Sequence, residues 1–255
     1  MQKRIIGLNI TIGEYQKVLE DIVSMARNKT SGFVCFVNVH MVIEAYWNKK
    51  LNEGINQARI LSPDGVPVAK SLEFLYGLKQ DRISGMDSLP ALMQLAEKEA
   101  LSVYFFGSSN QILTKIEKRA HNEFPNLKIA GAFSPPFDKP LNSESYIQDI
   151  NDSGADLVFV ALGCPKQEKW MIDNVRDIKA VLLGVGGAFS VYAGMQARAP
   201  EWMQKCGLEW LYRLIQEPGR LWKRYFVTNS LFLVLITMEK IKLIIGRLTK
   251  RTQLG

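Results

Sequence analysis

The chain has 255 residues, with 32 Lys/Arg against 25 Asp/Glu and a formal net charge of +7. A hydrophobic content of 47% excludes a disordered polypeptide, and the length accommodates one α/β domain with a large core. Three cysteines and two histidines exclude a disulfide framework and a His-rich metal centre, and they suit a reducing compartment.

In chain order, the N-terminal segment is basic, but Asn9, Thr11 and Glu14 interrupt its apolar run, which argues against a signal peptide. A strand is expected over 4–10 and a helix over 14–27. A second strand, 32–39, ends at Asn38, with His40 just beyond. The third, 58–61, runs into Pro63-Asp64-Gly65. A carboxylate at a strand end points into the mouth of a sheet and suits removal of a proton from an attacking hydroxyl. Asp-Gly is equally a common turn dipeptide, and at this point both readings stand. A helix over 90–100 leads to a strand over 102–107. There Phe106-Gly107-Ser108 has a strand–glycine–helix form able to hold part of a nucleotide, with Ser108 as the expected N-cap and Gln111 three residues on.

A helix over 112–124, a strand over 128–133 and a helix over 143–151 follow. The strand over 156–162 is almost continuously apolar, as expected when both faces are covered. Gly163-Cys164-Pro165-Lys166-Gln167-Glu168 then opens a helix over 167–175. Free amides at such a start favour phosphate, and Gln167 can hydrogen-bond a base or sugar. Cys164 has no evident base and reads as a small filler. The strand over 180–185 runs into Gly184-Val185-Gly186-Gly187. Phe189 stands where a dinucleotide fingerprint requires its third glycine. Close backbone approach to a ligand at Gly186 is the reading kept, with a tight turn as the alternative.

Strands alternating with helices define an α/β fold, a Rossmann-like, mostly parallel sheet with helices on both faces, over 1–207. Beyond it the chain changes character. Residues 208–255 carry nine Lys/Arg against three Asp/Glu, interleaved with Trp222, Tyr225, Phe226, Phe232 and Ile241. This is a helical, basic, amphipathic appendage of the kind that lies in a membrane interface. Its apolar content selects an anionic membrane over nucleic acid as partner; packing on the body or on another subunit is the alternative. Its longest uncharged stretch, 225–238, is 14 residues, short of the roughly 20 a bilayer span needs. Arg213, Arg220 and Arg224, spaced by seven and four, share one helix face. No Asp-x-Asp motif is present to hold a divalent ion on a diphosphate. Arginine matches phosphate geometry with a two-pronged donor, so this face is a candidate phosphate site, with a solvated or lipid-facing basic face as the alternative.

Five separated motifs, namely Asn38, Pro63-Asp64-Gly65, Arg82 with Gly85, the Gly163–Trp170 run and the block from Gly184 to Arg224, occur in the order found in the WecG/TagA/CpsF glycosyltransferases, glycosyltransferase family 26. The chain resembles that family from about Val34 to Arg224. The resemblance implies transfer of a sugar from a UDP-sugar to a polyprenyl-diphosphate-linked saccharide at the inner face of the cell membrane, by a cytoplasmic, membrane-peripheral enzyme. It makes Asp64 the expected base and sets Asn38 near the donor sugar. Gly107, Gly163, Gln167 and Gly186 are then expected to shape the donor pocket, and Arg82, Arg213, Arg220 and Arg224 to bind diphosphate. Reaction is expected to invert configuration with neither metal nor cofactor. Phe36 and Val39-His40 depart from the family's Thr and Pro-Glu, and Ser190 from its Asp, so the donor sugar, the roles of His40 and Ser190, and homo-oligomerisation stay open. Two rivals remain. A nucleotide-binding oxidoreductase requires a glycine fingerprint at the first βα turn and an acid closing the second strand. A non-catalytic membrane adaptor requires no ordered pocket.

Overall fold

The computed structural model describes residues 1–136, 141 and 144–252, without the side chains of Arg220, Arg247, Leu248 and 250–252. Six parallel strands form the central sheet: β3 (Gly32–Val37), β4 (Ile60–Pro63), β5 (Ser102–Gly107), β6 (Lys128–Phe133), β7 (Leu157–Ala161) and β8 (Val181–Gly184). Their order is β4-β3-β8-β7-β5-β6. Alternate residues divide each strand between two cores. Phe33, Cys35, Val37, Val158, Val160 and Leu182 enter one, and Val34, Phe36, Leu157, Phe159 and Leu183 enter the other. Helices cover both faces, as the alternating pattern requires.

The first core is roofed by α2 (Val39–Trp47), α3 (Lys49–Ile55), α4 (Val66–Tyr76), α7 (Glu144–Asp152) and α8 (Lys166–Asn174). The second is roofed by α1 (Tyr15–Arg27), α5 (Gly85–Lys98), α6 (Asn110–Glu123) and α9 (Ala188–Tyr192). Connections that step toward β4 run over the first face and the β5-to-β6 connection over the second, while the long β4-to-β5 connection starts with α4 on the first face and crosses to the second with α5. Right-handed crossovers demand this division. The loops leaving β5 and β7 diverge toward opposite faces, which makes this the topological switch point where open α/β sheets place ligands.

The expected strand over 4–10 is instead a hairpin of β1 (Gln2–Ile5) and β2 (Leu8–Thr11), paired Ile5 to Leu8 around a two-residue turn. Ile6 and Gly7 both have positive φ, 45° and 90°, the geometry of a primed turn. The hairpin stays outside the central sheet and shields its β4 edge, where Leu61 N donates to Thr11 Oγ1 at 3.1 Å. The α6 N-cap is Ser109, which accepts from Ile112 N at 3.4 Å; Ser108, the expected cap, has φ 63°. The expected start of α7 at Ser143 lies outside the described residues.

After α10 (Glu201–Lys205) come α11 (Glu209–Gln216) and the 35-residue α12 (Pro218–Thr252), about 52 Å long. The inward face of α12 carries Leu221, Phe232 and Ile236, all buried; the last two join the first core beside α2 and α4. Burial of each such side chain contributes about 1.5–3 kcal/mol. The outward face leaves Trp222, Phe226, Leu233, Val234, Met238, Ile241 and Ile245 exposed. Among the described residues no helix is long and apolar enough to cross a membrane.

Candidate active site

A cavity of 160 Å³ lies at the carboxyl ends of β3 and β4, beneath α11 and α12. Chain connectivity explains its floor. β3 ends at Val37, and Asn38 caps α2, its Oδ1 accepting from Met41 N at 3.1 Å. β4 ends at Pro63, so Asp64 leaves the sheet where Asp64 N donates to Val37 O at 2.8 Å. Gly65, with φ 95°, turns the chain into α4. The carboxylate of Asp64 thus faces the cavity from the sheet edge.

The roof comes from far along the chain. Glu209, Trp210 and Arg213 of α11, and Arg224, Tyr225, Thr228 and Asn229 of α12, close over Asp64, with His40 and Arg82 at the sides. Protein surrounds Asp64, although the cavity leaves its side chain partly accessible. Desolvation raises its pKa to about 7. Arg82 and Arg213 pull it down, while Glu209 and Asp87 push it up. A carboxyl so placed exchanges its proton near neutrality, as a general base requires.

The cations differ in how far they are already engaged. Arg82 donates to Glu209 through Nη1 and to Asp87 Oδ2 through Nη2, the second at 3.0 Å. Arg213 and Arg224 make no ion pair among the described residues, and the buried Nε of each has no hydrogen-bond partner. Two half-buried guanidinium groups without counter-ions make the cavity receptive to an anion. Arg213 stands on α11 whereas Arg220 and Arg224 stand on α12, so the one helix face expected for all three is interrupted at Glu217, where α11 ends and the chain turns into α12; the side chain of Arg220 is outside the described residues.

His40 also lines the cavity. Burial and the charge of Arg224 lower its pKa to about 4, so its imidazole is neutral at physiological pH, with Nδ1 3.8 Å from Glu44 Oε1.

The remaining expected residues lie outside this cavity on the same sheet edge. Gly186 follows β8, Gly163 follows β7, and Gly107 ends β5, four strand spacings from Asp64 or about 19 Å. Gln167 is buried, its Nε2 donating to Glu168 Oε1 at 2.7 Å and to Gly184 O at 3.2 Å, while its Oε1 has no partner. A Cβ built on Gly186 would meet that Oε1 at 3.3 Å, and one on Gly187 would meet Arg213 Nη2 at 3.0 Å. Arg213 therefore links the Asp64 cavity to the glycine row. Burial pushes the Cys164 thiol well up, and the nearby Glu168 adds to the effect, which keeps the sulfur protonated. Ser190 lies apart, on a separate hollow with Gln196 and Gln216.

Sequence reading missed Asp87 and the roof residues Thr228 and Asn229, and gave no role to Arg198 or Glu209. None has a short-range signal; each becomes part of the site only when α10–α12 fold back over the sheet. Among the described residues no group of three or more His, Cys, Asp or Glu could hold a metal ion.

The glycosyl transferase WecG/TagA/CpsF family model matches residues 3–245. One relative, the N-acetylglucosaminyldiphosphoundecaprenol N-acetyl-beta-D-mannosaminyltransferase of Bacillus subtilis (strain 168), is 33% identical over 223 residues, 84% of this chain and 82% of the relative. The match spans the sheet, the Asp64 turn and the arginine-bearing helices, and the chain accordingly belongs to the WecG/TagA/CpsF family of glycosyltransferases.

Proposed function

We propose that the protein transfers a hexose, N-acetylmannosamine, its uronic acid or a related sugar, from a UDP-sugar to a polyprenyl-diphosphate-linked saccharide. The reaction serves cell-surface polysaccharide synthesis. One observation carries this reading: a single cavity joins Asp64, raised to a pKa of about 7, to the unpaired guanidinium groups of Arg213 and Arg224. Asp64 takes the proton of an acceptor hydroxyl. The freed oxygen attacks the anomeric carbon from the face opposite UDP, and the bond to the β-phosphate oxygen breaks. Charge grows on that phosphate, and Arg213 of α11 and Arg224 of α12 balance it without a metal ion. One displacement inverts configuration. The β anomer in the name of the Bacillus relative agrees with inversion of an α-linked donor.

Asn38, Gly186, Gln167, Gly163 and Gly107 line the row along which an extended sugar nucleotide lies. The cavity is smaller than the roughly 300–1,000 Å³ of ligand pockets, so α11 and α12 shift as donor and acceptor enter. The outward apolar face of α12, with the exposed Lys223 and Lys242 nearby in sequence, supports peripheral binding to the anionic inner leaflet. The acceptor and sugar in the relative's name support the lipid-linked substrate class.

The test is transfer from a panel of UDP-sugars to a synthetic prenyl-diphosphate saccharide in the presence of EDTA. Asp64→Asn is expected to lower kcat by about 10²–10⁴ while UDP still raises the melting temperature. Wild-type turnover by that variant removes Asp64 from the chemistry. Loss of activity in EDTA, restored by magnesium or manganese, removes the metal-free reading.

A further inference from the structure

The ion pairs under α11 form a ring of three hydrogen-bonded edges and one longer ionic contact, across which Arg198 Nε and Glu209 Oε1 have no hydrogen-bond partner. Arg82 binds Glu209 and Asp87. Arg198 Nη2 lies 2.5 Å from Asp87 Oδ1, and Arg198 Nε faces Glu209 Oε1 at 3.6 Å. Ser84 Oγ donates to Asp87 Oδ2 at 2.6 Å, fixing that corner. Charges alternate around the ring, and two cations cancel two anions. Three members belong to the body: Arg82 and Asp87 flank the start of α5, and Arg198 precedes α10. Glu209 alone comes from α11, at its first residue. No residue of α11 is fully buried, so this ring is a principal tie between the helix and the body. Arg213 stands one turn beyond Glu209 on the same face.

We propose that Glu209 is a positioning residue for Asp64: it draws Arg82 into the ring and away from the base. The inference rests on the reading of Asp64 as proton acceptor. A guanidinium centred on Asp64 would leave a weak base. A guanidinium shared between two other carboxylates screens Asp64 without quenching it. The groups facing Asp64 are Arg82 from the loop ahead of α5, Asp87 from α5, Glu209 and Arg213 from α11, and across the cavity His40 of α2 and Arg224 of α12. With the ring formed, both terminal nitrogens of Arg82 are occupied by carboxylates. A diphosphate therefore meets Arg213 and Arg224 first and gains Arg82 only by displacing Glu209.

The full-length protein tests this in two variants, Glu209→Gln and Arg198→Gln. The first readout is the acid limb of kcat/KM, which reports the free enzyme. The second is the ¹³C carboxyl resonance of Asp64, assigned by its loss in Asp64→Asn. Glu209→Gln releases Arg82 toward Asp64, and both readouts are expected to move to lower pH by roughly half a unit or more. Arg198→Gln leaves the ring with excess negative charge, and both are expected to move to higher pH. Titrations identical to wild type, or displacement of both variants in the same direction, overturn the proposal. So does an upward shift in Glu209→Gln, the mark of Arg213 leaving the cavity. If Asp64→Asn proves fully active, the base assignment fails, yet the resonance still reports on the ring, so the two failures are told apart.

Discussion

Asp64 binds its proton more tightly in the folded chain than in the unfolded one, because enclosure raises the pKa from an ordinary 3.8 to about 7. Between roughly pH 4 and 7 the folded state then holds the extra proton, and stability falls as pH rises through that window. Asp64→Asn is therefore expected to exceed wild type in stability by roughly 1–3 kcal/mol at pH 8, after allowance for solvent reaching the cavity, and by almost nothing near pH 4. Urea unfolding at the two pH values measures the difference; an equal gain at both would show that Asp64 carries no desolvation penalty. Two glycines on the same sheet edge make a second contrast. A Cβ on Gly107, at φ 110°, would lie 2.5 Å from Ala161 O, whereas nothing lies within 4 Å of one on Gly163, at φ 78°. Gly107→Ala is expected to cost about 2 kcal/mol or more. Gly163→Ala is expected to cost about 1 kcal/mol and to raise the donor KM, if the open space there receives the sugar nucleotide. Denaturant midpoints and steady-state kinetics separate the two.

α12 has two unlike faces. Truncating the inward one by Phe232→Ala is expected to cost about 3–5 kcal/mol and to lower transfer as well, because Arg224 lies two turns earlier on the same rod. Substituting serine at Phe226 and Ile241 on the outward face is expected to leave the unfolding midpoint nearly unchanged. The same change weakens co-sedimentation with phosphatidylglycerol vesicles. Retention of wild-type vesicle binding by that double variant would assign the membrane contact to another surface. The strands were legible because β-branched runs between glycines leave few alternatives. The hairpin was not, since nothing local announces that Ile6 adopts φ 45°. The helices over 39–55 were missed for another reason. α2 is covered on one side by the sheet and on the other by α12, so its sequence, Val-His-Met-Val-Ile-Glu-Ala-Tyr-Trp, shows little amphipathic period.

The site draws on distant parts of the chain, and this set the limit of what its sequence disclosed. Asp64 and Asn38 stood out because strand ends are local patterns, whereas the helical spacing read across Arg213, Arg220 and Arg224 did not foresee the break at Glu217 between α11 and α12. That Arg82 is engaged by Glu209, 127 positions away, is a property of the closed fold alone. The sheet is complete at Gly184, yet Arg213, Arg224, Phe232 and Ile236 all follow it. A ribosome thus extrudes every strand well before the guanidinium groups emerge. A nascent or prematurely terminated polypeptide has its carboxylate but no counterpart for phosphate, and an unfilled gap where Phe232 belongs. On the proposed reading of the site, catalytic competence is thereby deferred until α12 has emerged, and polypeptides ending before it are expected to lack transfer activity.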